Sequence, residues 1–203
     1  MSWSEEHKQK TRERILDAAA LALREQGIEQ TSVADVMRRA GLTHGGFYAH
    51  FKSKEELVAD AVRHGSEQVS KIFDPPAGKE SAQSGLLDIS AAYMSLRHLT
   101  HPERGCPVAA LGPELLRSGP KVTEAVSEEV RGRLKKLYQK TDPDLEPEIR
   151  NRQTAGTLAC MVGAQILARA LSSREGAQFL EDCQEFLRDA LKGQARTGSE
   201  RRS

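Results

Sequence analysis

The chain is poor in cysteine, in aromatic residues and in long apolar runs. Its cysteines, Cys106, Cys160 and Cys183, are odd in number and lack paired spacing, which excludes a disulfide framework. Aromatic residues make up 4% of the chain, too few to favour a large aromatic-lined multidrug cavity. No run approaches the roughly 20 apolar residues that a membrane span needs, so no membrane partner is expected. The opening MSWSEEHKQKTRER has no apolar signal-peptide core, which predicts a cytoplasmic protein. Strand alternation, internal repeats and low-complexity tracts are missing. So are the G-x-S-x-G, Walker A, dinucleotide and H-E-x-x-H motifs, and no enzyme is expected. His98, His101 and Cys106 do not extend to a closed set of four metal ligands. The expectation is no metal and no cofactor. A formal net charge of +1 points to no partner by itself, so any basic surface must be local.

What is present fits a globular chain of 203 residues, 38% hydrophobic and 29% charged, long enough for one or two cores. Nearly every segment has helical periodicity. Thr11 to Gln26 carries Ile15, Ala18, Ala19, Ala22 and Leu23 on one face, with Gly27 at the C-terminal cap position. Ser32 caps a short helix that Gly41 ends, and Thr43 opens another to Phe51. Ser53 and Glu56 form a capping box for a long helix, broken at Asp74-Pro75-Pro76-Ala77-Gly78. Leu86 to Leu99 is expected as one amphipathic segment, Pro107 begins the next, and Ser118-Gly119-Pro120 starts another. A long helix to about Leu171 follows the Asp142 to Pro147 loop, and Ser172 with Glu175 caps the last, to about Lys192. The fold class is all-α.

Residues 41–57, GLTHGGFYAHFKSKEEL, are unusual for helix. They place Gly45 and Gly46, each costing about 1 kcal/mol in a helix interior, beside three of the chain's eight Phe and Tyr residues. Two short helices joined by a glycine turn on a longer first helix are the parts of a helix-turn-helix. There the glycines make sense, because they let backbone approach DNA closely. Phe47 and Phe51, four apart, face the core, while Tyr48 and His50 point outward. Lys54, in the first turn of a capped helix, suits a phosphate. Lys8, Lys10, Arg12 and Arg14 interleave with Glu5, Glu6 and Glu13, as a solvated face or as an arm along DNA.

Ile15-Leu16, Ala18-Ala19, Gly27, Thr31-Ser32-Val33, Asp35-Val36, Ala40-Gly41-Leu42-Thr43, Gly46-Phe47-Tyr48 and His50-Phe51-Lys52-Ser53-Lys54-Glu55-Glu56-Leu57 run in order and without gaps. Together they resemble the N-terminal domain of the TetR family of bacterial transcriptional regulators. The resemblance implies a homodimeric repressor that binds a palindromic double-stranded operator and is released by a small-molecule effector. It places Thr43, His44 and Gly45 at base edges, with Gly46 in the same close-approach stretch. Tyr48 and His50 fall near the backbone or the base rim, and Ser32 and Lys54 on phosphates. The expected organisation is a helix-turn-helix domain at 1–54, a helical ligand-binding and dimerisation domain at 55–192, and a disordered tail at 193–203.

In the second half, Gly156, Ala159 and Gly163 form a small-residue seam beside Val162 and Ile166, and the last helix offers Phe179, Cys183 and Phe186. On the residues alone this surface is core or interface. The resemblance, in which the last two long helices pair across a two-fold axis, makes it the dimer interface. Candidates for the effector pocket are Tyr93, Met94, Arg97, Cys106, Leu111, Glu114, Met161 and Gln165, with Arg97 and Glu114 either pairing a charged ligand or solvated. Cys106 stands at a helix N-cap with Arg104 nearby, a setting that favours a thiolate. It is a redox-sensing thiol or a small apolar residue under a loop. The alternative function is therefore a protein-interaction or redox-sensing regulator in which modification of Cys106, not ligand binding, controls DNA release.

Overall fold

The computed structural model describes residues 5–73 and 82–200, without the side chains of 82–84 and 193–200. Among these residues the secondary structure is helical, with no strand. The α-helices are α1 Glu5–Gln26, α2 Val33–Arg39, α3 Lys54–Gln68, α4 Ala82–Tyr93, α5 Leu96–Thr100, α6 Pro107–Arg117, α7 Pro120–Tyr138, α8 Pro147–Ala168 and α9 Ser173–Glu200. Short 3₁₀ helices lie at His44–Ala49, Ser70–Phe73 and Pro102–Arg104. The break expected at Asp74–Gly78 lies outside the described residues. So does the end of the tail at 201–203, while α9 continues past Lys192 to Glu200.

By compactness the chain falls into two units. One unit is Met1–Val69 with Pro102–Glu129, and the other is Ser70–His101 with Val130–Ser203. In the first, α1 buries Ile15, Leu16, Ala19, Ala22 and Leu23 against α3, which contributes Leu57, Val58, Ala61 and Val62. Arg24 is buried with this stripe. Its guanidinium donates to Gly105 O at 3.0 Å and Gln68 Oε1 at 3.1 Å, tying α1 to the segment before α6. Burial lowers the Arg24 pKa, against the opposing influence of Cys106 and Glu103.

Local signals set most boundaries. Ser32 Oγ accepts from Asp35 N–H at 3.0 Å, and Ser53 Oγ from Glu56 N–H at 3.1 Å. Glu56 returns an acceptor to Lys52 N–H at 3.0 Å, so the box closes one residue before its expected donor. After α2, Leu42 N–H reaches Met37 O at 2.9 Å and Gly41 N–H reaches Arg38 O at 3.0 Å, with Gly41 at φ +69°. This is a Schellman ending, and its left-handed residue calls for glycine.

Two expected helices are broken. Leu86–Leu99 divides into α4 and α5, because the Tyr93 carbonyl is taken by side chains. His98 Nδ1 lies 2.8 Å from it, and Gln165 Nε2 donates to it at 2.9 Å. Ser95 then caps α5. Helix α6 kinks at Gly112 (φ 37°, ψ −117°). Pro113 offers no N–H and disfavours helical backbone before it, and glycine absorbs the distortion.

In the second unit α8 and α9 lie side by side. A Cβ on Gly176 would come within 2.5 Å of Ala168 O, so this turn requires glycine. Ser172 and Glu175 form the expected box, with Ser172 N–H donating to Glu175 Oε2 at 3.2 Å.

Candidate nucleic-acid interface

The stretch that follows α2 is held from beneath. Phe47 and Phe51 are buried and stacked, with ring centroids 5.7 Å apart. From above, Thr43, His44 and Gly45 are exposed, and Tyr48 is 72% exposed although its ring meets Phe47 edge-on at 5.3 Å. The element is a 3₁₀ helix, His44–Ala49, and not the short α-helix expected to Phe51. Its bonds span three residues, as in Gly46 N–H to Thr43 O at 3.1 Å and His50 N–H to Phe47 O at 2.9 Å. A Gly-Gly pair gives little α-helical preference, and so short a piece tolerates the tighter winding. Thr43, at the N-cap, makes no side-chain cap bond, so its hydroxyl is not engaged there. A Cβ on Gly45 would meet nothing within 4 Å, and one on Gly46 would meet only Met37 Cε at 3.6 Å.

The basic residues divide into engaged and available. Arg12 pairs with Asp60 and lies over the Phe51 ring at 4.6 Å. Arg14 donates to Ala40 O at 2.7 Å, closing the end of α2. Lys10 pairs with Glu6 at 2.6 Å on an exposed turn. The expected basic arm is thus largely structural. Lys54 also has a partner: Nζ donates to Ile28 O at 2.7 Å, beside a cavity of about 300 Å³ that includes Glu29, Glu55 and Glu114. A phosphate would have to be met by its two other N–H groups. Ser32 is exposed, with its oxygen used in the cap.

His50 is only half exposed, and its Nδ1 is buried without a hydrogen-bond partner. Burial lowers its pKa first, and then the charges of Lys8 and Arg12. The three share a cavity of about 550 Å³ between the start of α1 and Ala49. Sequence reasoning did not join Lys8 to His50. No sequence signal joins them; the link is Arg12, one turn after Lys8, lying over the ring of Phe51. Lys52 is a further exposed cation at this edge.

The eight expected effector residues fall in both units. Tyr93, Met94, Met161 and Gln165 are buried in the second unit, and Arg97 is exposed there on α5. Cys106, Leu111 and Glu114 belong to the first unit, because the chain after Pro102 returns to α1. Glu114 Oε2 is engaged by Ile28 N–H at 2.8 Å. The Cys106 thiol is 0% exposed, and its cationic neighbour is Arg24 rather than Arg104, which is exposed beside Glu103. Burial closes the thiol to solvent.

The surface expected to dimerise is open on α8 and α9. Gly156, Ala159 and Ile166 are exposed, as is Leu167, with Val162 and Gly163 partly so. A Cβ on Gly156 or Gly163 would meet nothing within 4 Å. Phe186 is 67% exposed, while Phe179 and Cys183 are partly covered. Cys160 adjoins Cys183, and burial, with the Cys183 charge, pushes its thiol up to about 11. Among the described residues no His, Cys, Asp and Glu cluster suits a metal ion, and no helix is long and apolar enough to cross a membrane.

Known proteins share both sequence and fold. Residues 15–61 match the family model described as "Bacterial regulatory proteins, tetR family". An HTH-type transcriptional regulator of Mycobacterium tuberculosis is 31% identical over 104 residues, 51% of this chain and 52% of the relative. TtgR, an HTH-type transcriptional regulator of Pseudomonas putida, is 42% identical over 55 residues, 27% of this chain and 26% of the relative. The chain spans about half the length of the first of these curated relatives and a quarter of the second. The crystal structure of a TetR transcriptional regulator from Chloroflexus aurantiacus superposes with a TM-score of 0.74 at 26% identity, covering 91% of this chain and 95% of that one. A TetR-family regulator from Cytophaga hutchinsonii gives 0.77 at 20% identity over 95% and 98%. With a helix-turn-helix edge built on a buried Phe pair and an all-helical remainder, the chain is similar to the TetR family of bacterial transcriptional regulators, in sequence over residues 15–61 and in fold over most of its length.

Proposed function

We propose that the protein is a cytoplasmic repressor that binds a palindromic operator as a homodimer and lets go when a small molecule binds its helical second part. The observation that carries this is the edge Thr43 to Tyr48. It offers hydroxyl, imidazole and phenol groups beside bare backbone at Gly45, on an element fixed by Phe47 and Phe51. That combination suits a groove: base edges need polar groups brought close, and a rigid support keeps them in register. Residues 1–54 would read DNA and 55–192 would sense and dimerise.

The exposed apolar seam on α8 and α9 supports the dimer, since a contiguous apolar surface of this kind marks an interface. A two-fold pair would place half-sites about one helical turn apart or a small multiple of it. Burial of Cys106 weighs against control by its modification and favours a ligand. Selection of bound duplexes from random DNA tests the proposal. Enrichment of a two-fold symmetric sequence is expected, and recovery of no consensus would defeat it.

A further inference from the structure

Helix α8 carries Gln153, Thr157, Met161 and Gln165 at four-residue intervals, and all four are buried, with 3, 1, 0 and 0% exposure. Three of them bury a polar atom that has no hydrogen-bond partner: Gln153 Nε2, Thr157 Oγ1 and Gln165 Oε1. Such orphans are rare in folded proteins and each calls for a cause. Three in one row call for a shared one.

The orientation of Gln165 is fixed by its neighbours. Its amide nitrogen donates to Tyr93 O at 2.9 Å, and a flipped amide would set two acceptor oxygens against each other. Oε1 is therefore the free group, and it accepts. At the other end Gln153 presents a donor, and Thr157 between them can do either. The rise of an α-helix puts Thr157 about 6 Å from Gln153 and about 12 Å from Gln165. At these separations the three groups cannot satisfy one another, and Met161 separates the last two with an apolar side chain. None of the three groups is ionisable, so none offsets the burial of a charge.

We infer that this row is the effector-recognition face of the second unit, and that it takes an elongated, uncharged molecule with hydrogen-bonding groups at both ends and an apolar middle. The molecule donates to Gln165 Oε1 and accepts at Gln153. The site rests on the effector-binding role proposed above, but its own test needs no DNA.

The probe is tetradecane-α,ω-diol, whose oxygens stand roughly 18 Å apart, the rise between Gln153 and Gln165, with the α,ω-diacid of the same length and 1-tetradecanol beside it. Thermal unfolding of the full chain should shift upward, and saturably, with the diol. The diacid should give no shift, and the monoalcohol should bind roughly ten-fold more weakly. Thr157→Val should melt at the same temperature as wild type or higher without ligand, because it deletes an unpaired hydroxyl. Thr157→Val and Gln153→Leu should each weaken the diol by roughly ten-fold or more. No diol shift, equal binding of the diacid, or undiminished binding by both variants would overturn the site. A Thr157→Val chain that melts lower without ligand would overturn it too, by showing the hydroxyl already satisfied. Release of the selected operator by the diol would support the effector role. Saturable binding without release would leave the site standing and overturn that role.

Discussion

Replacing Phe186 with aspartate should separate the protein into monomers. The ring is 67% exposed on α9, and α8 exposes Ile166 and Leu167. A phenylalanine side chain buries roughly 200 Å² when covered. About 130 Å² thus remains for a partner to cover, worth roughly 3 kcal/mol at about 25 cal/mol per Å². A two-fold interface uses the same residue twice, giving about 6 kcal/mol per dimer before association costs. If half survives those costs, the dissociation constant rises by roughly two orders of magnitude. Burying an aspartate against its own copy would add to that. Sedimentation equilibrium at micromolar concentration measures it, with Phe186→Leu as the control that keeps the apolar contact. A Phe186→Asp protein that dimerises as tightly as wild type would refute the assignment of this face. So would a wild-type chain that is already monomeric.

Gly45→Ala should leave stability unchanged or raise it by about 0.5–1 kcal/mol, because its Cβ meets open space. It should nonetheless weaken operator binding, since that space is where the DNA must come; melting and mobility shift together decide. Arg12→Met should lower the melting temperature by several degrees, consistent with loss of the Asp60 pair and the contact over Phe51, about 1–2 kcal/mol. An unchanged melting temperature would return Arg12 to the role of a DNA arm. His50 has a pKa below its ordinary 6.5, so the unfolded chain takes up its proton first as pH falls. Its contribution to stability is therefore complete above about pH 6.5 and declines as pH drops through that value toward the lowered one. His50→Gln should flatten this part of the melting profile between pH 7.5 and 5, in round figures.

The parts that sequence conveyed were those decided locally. Ser32, Ser53 and Ser172 cap within three residues of themselves, and Gly41 is demanded by its own φ, so these boundaries could be read without a fold. The inward Phe47 and Phe51 followed from their spacing. What escaped was decided at a distance. Arg14 and Lys54 look free along the sequence, yet the Ala40 and Ile28 carbonyls, 26 residues away in both cases, claim them. The α4–α5 break depends on Gln165, 72 residues from Tyr93. Of the eight effector candidates, expected among the helices between, the return of the chain at Pro102 assigns three to the first unit. The kink in α6 was visible as Gly112-Pro113, but its left-handed glycine becomes evident only in the structure.

DNA binding through the Thr43 to Tyr48 edge is the central claim, and titration of the selected duplex against salt tests it most directly. The logarithm of wild-type affinity should fall linearly with log salt, at a slope of about −0.9 per phosphate neutralised. His44→Ala with Tyr48→Ala should bind roughly a hundred-fold more weakly at moderate salt, the loss being counted twice in a dimer. Its melting temperature should not change, because both side chains are exposed. Undiminished binding by the folded double variant would contradict the account.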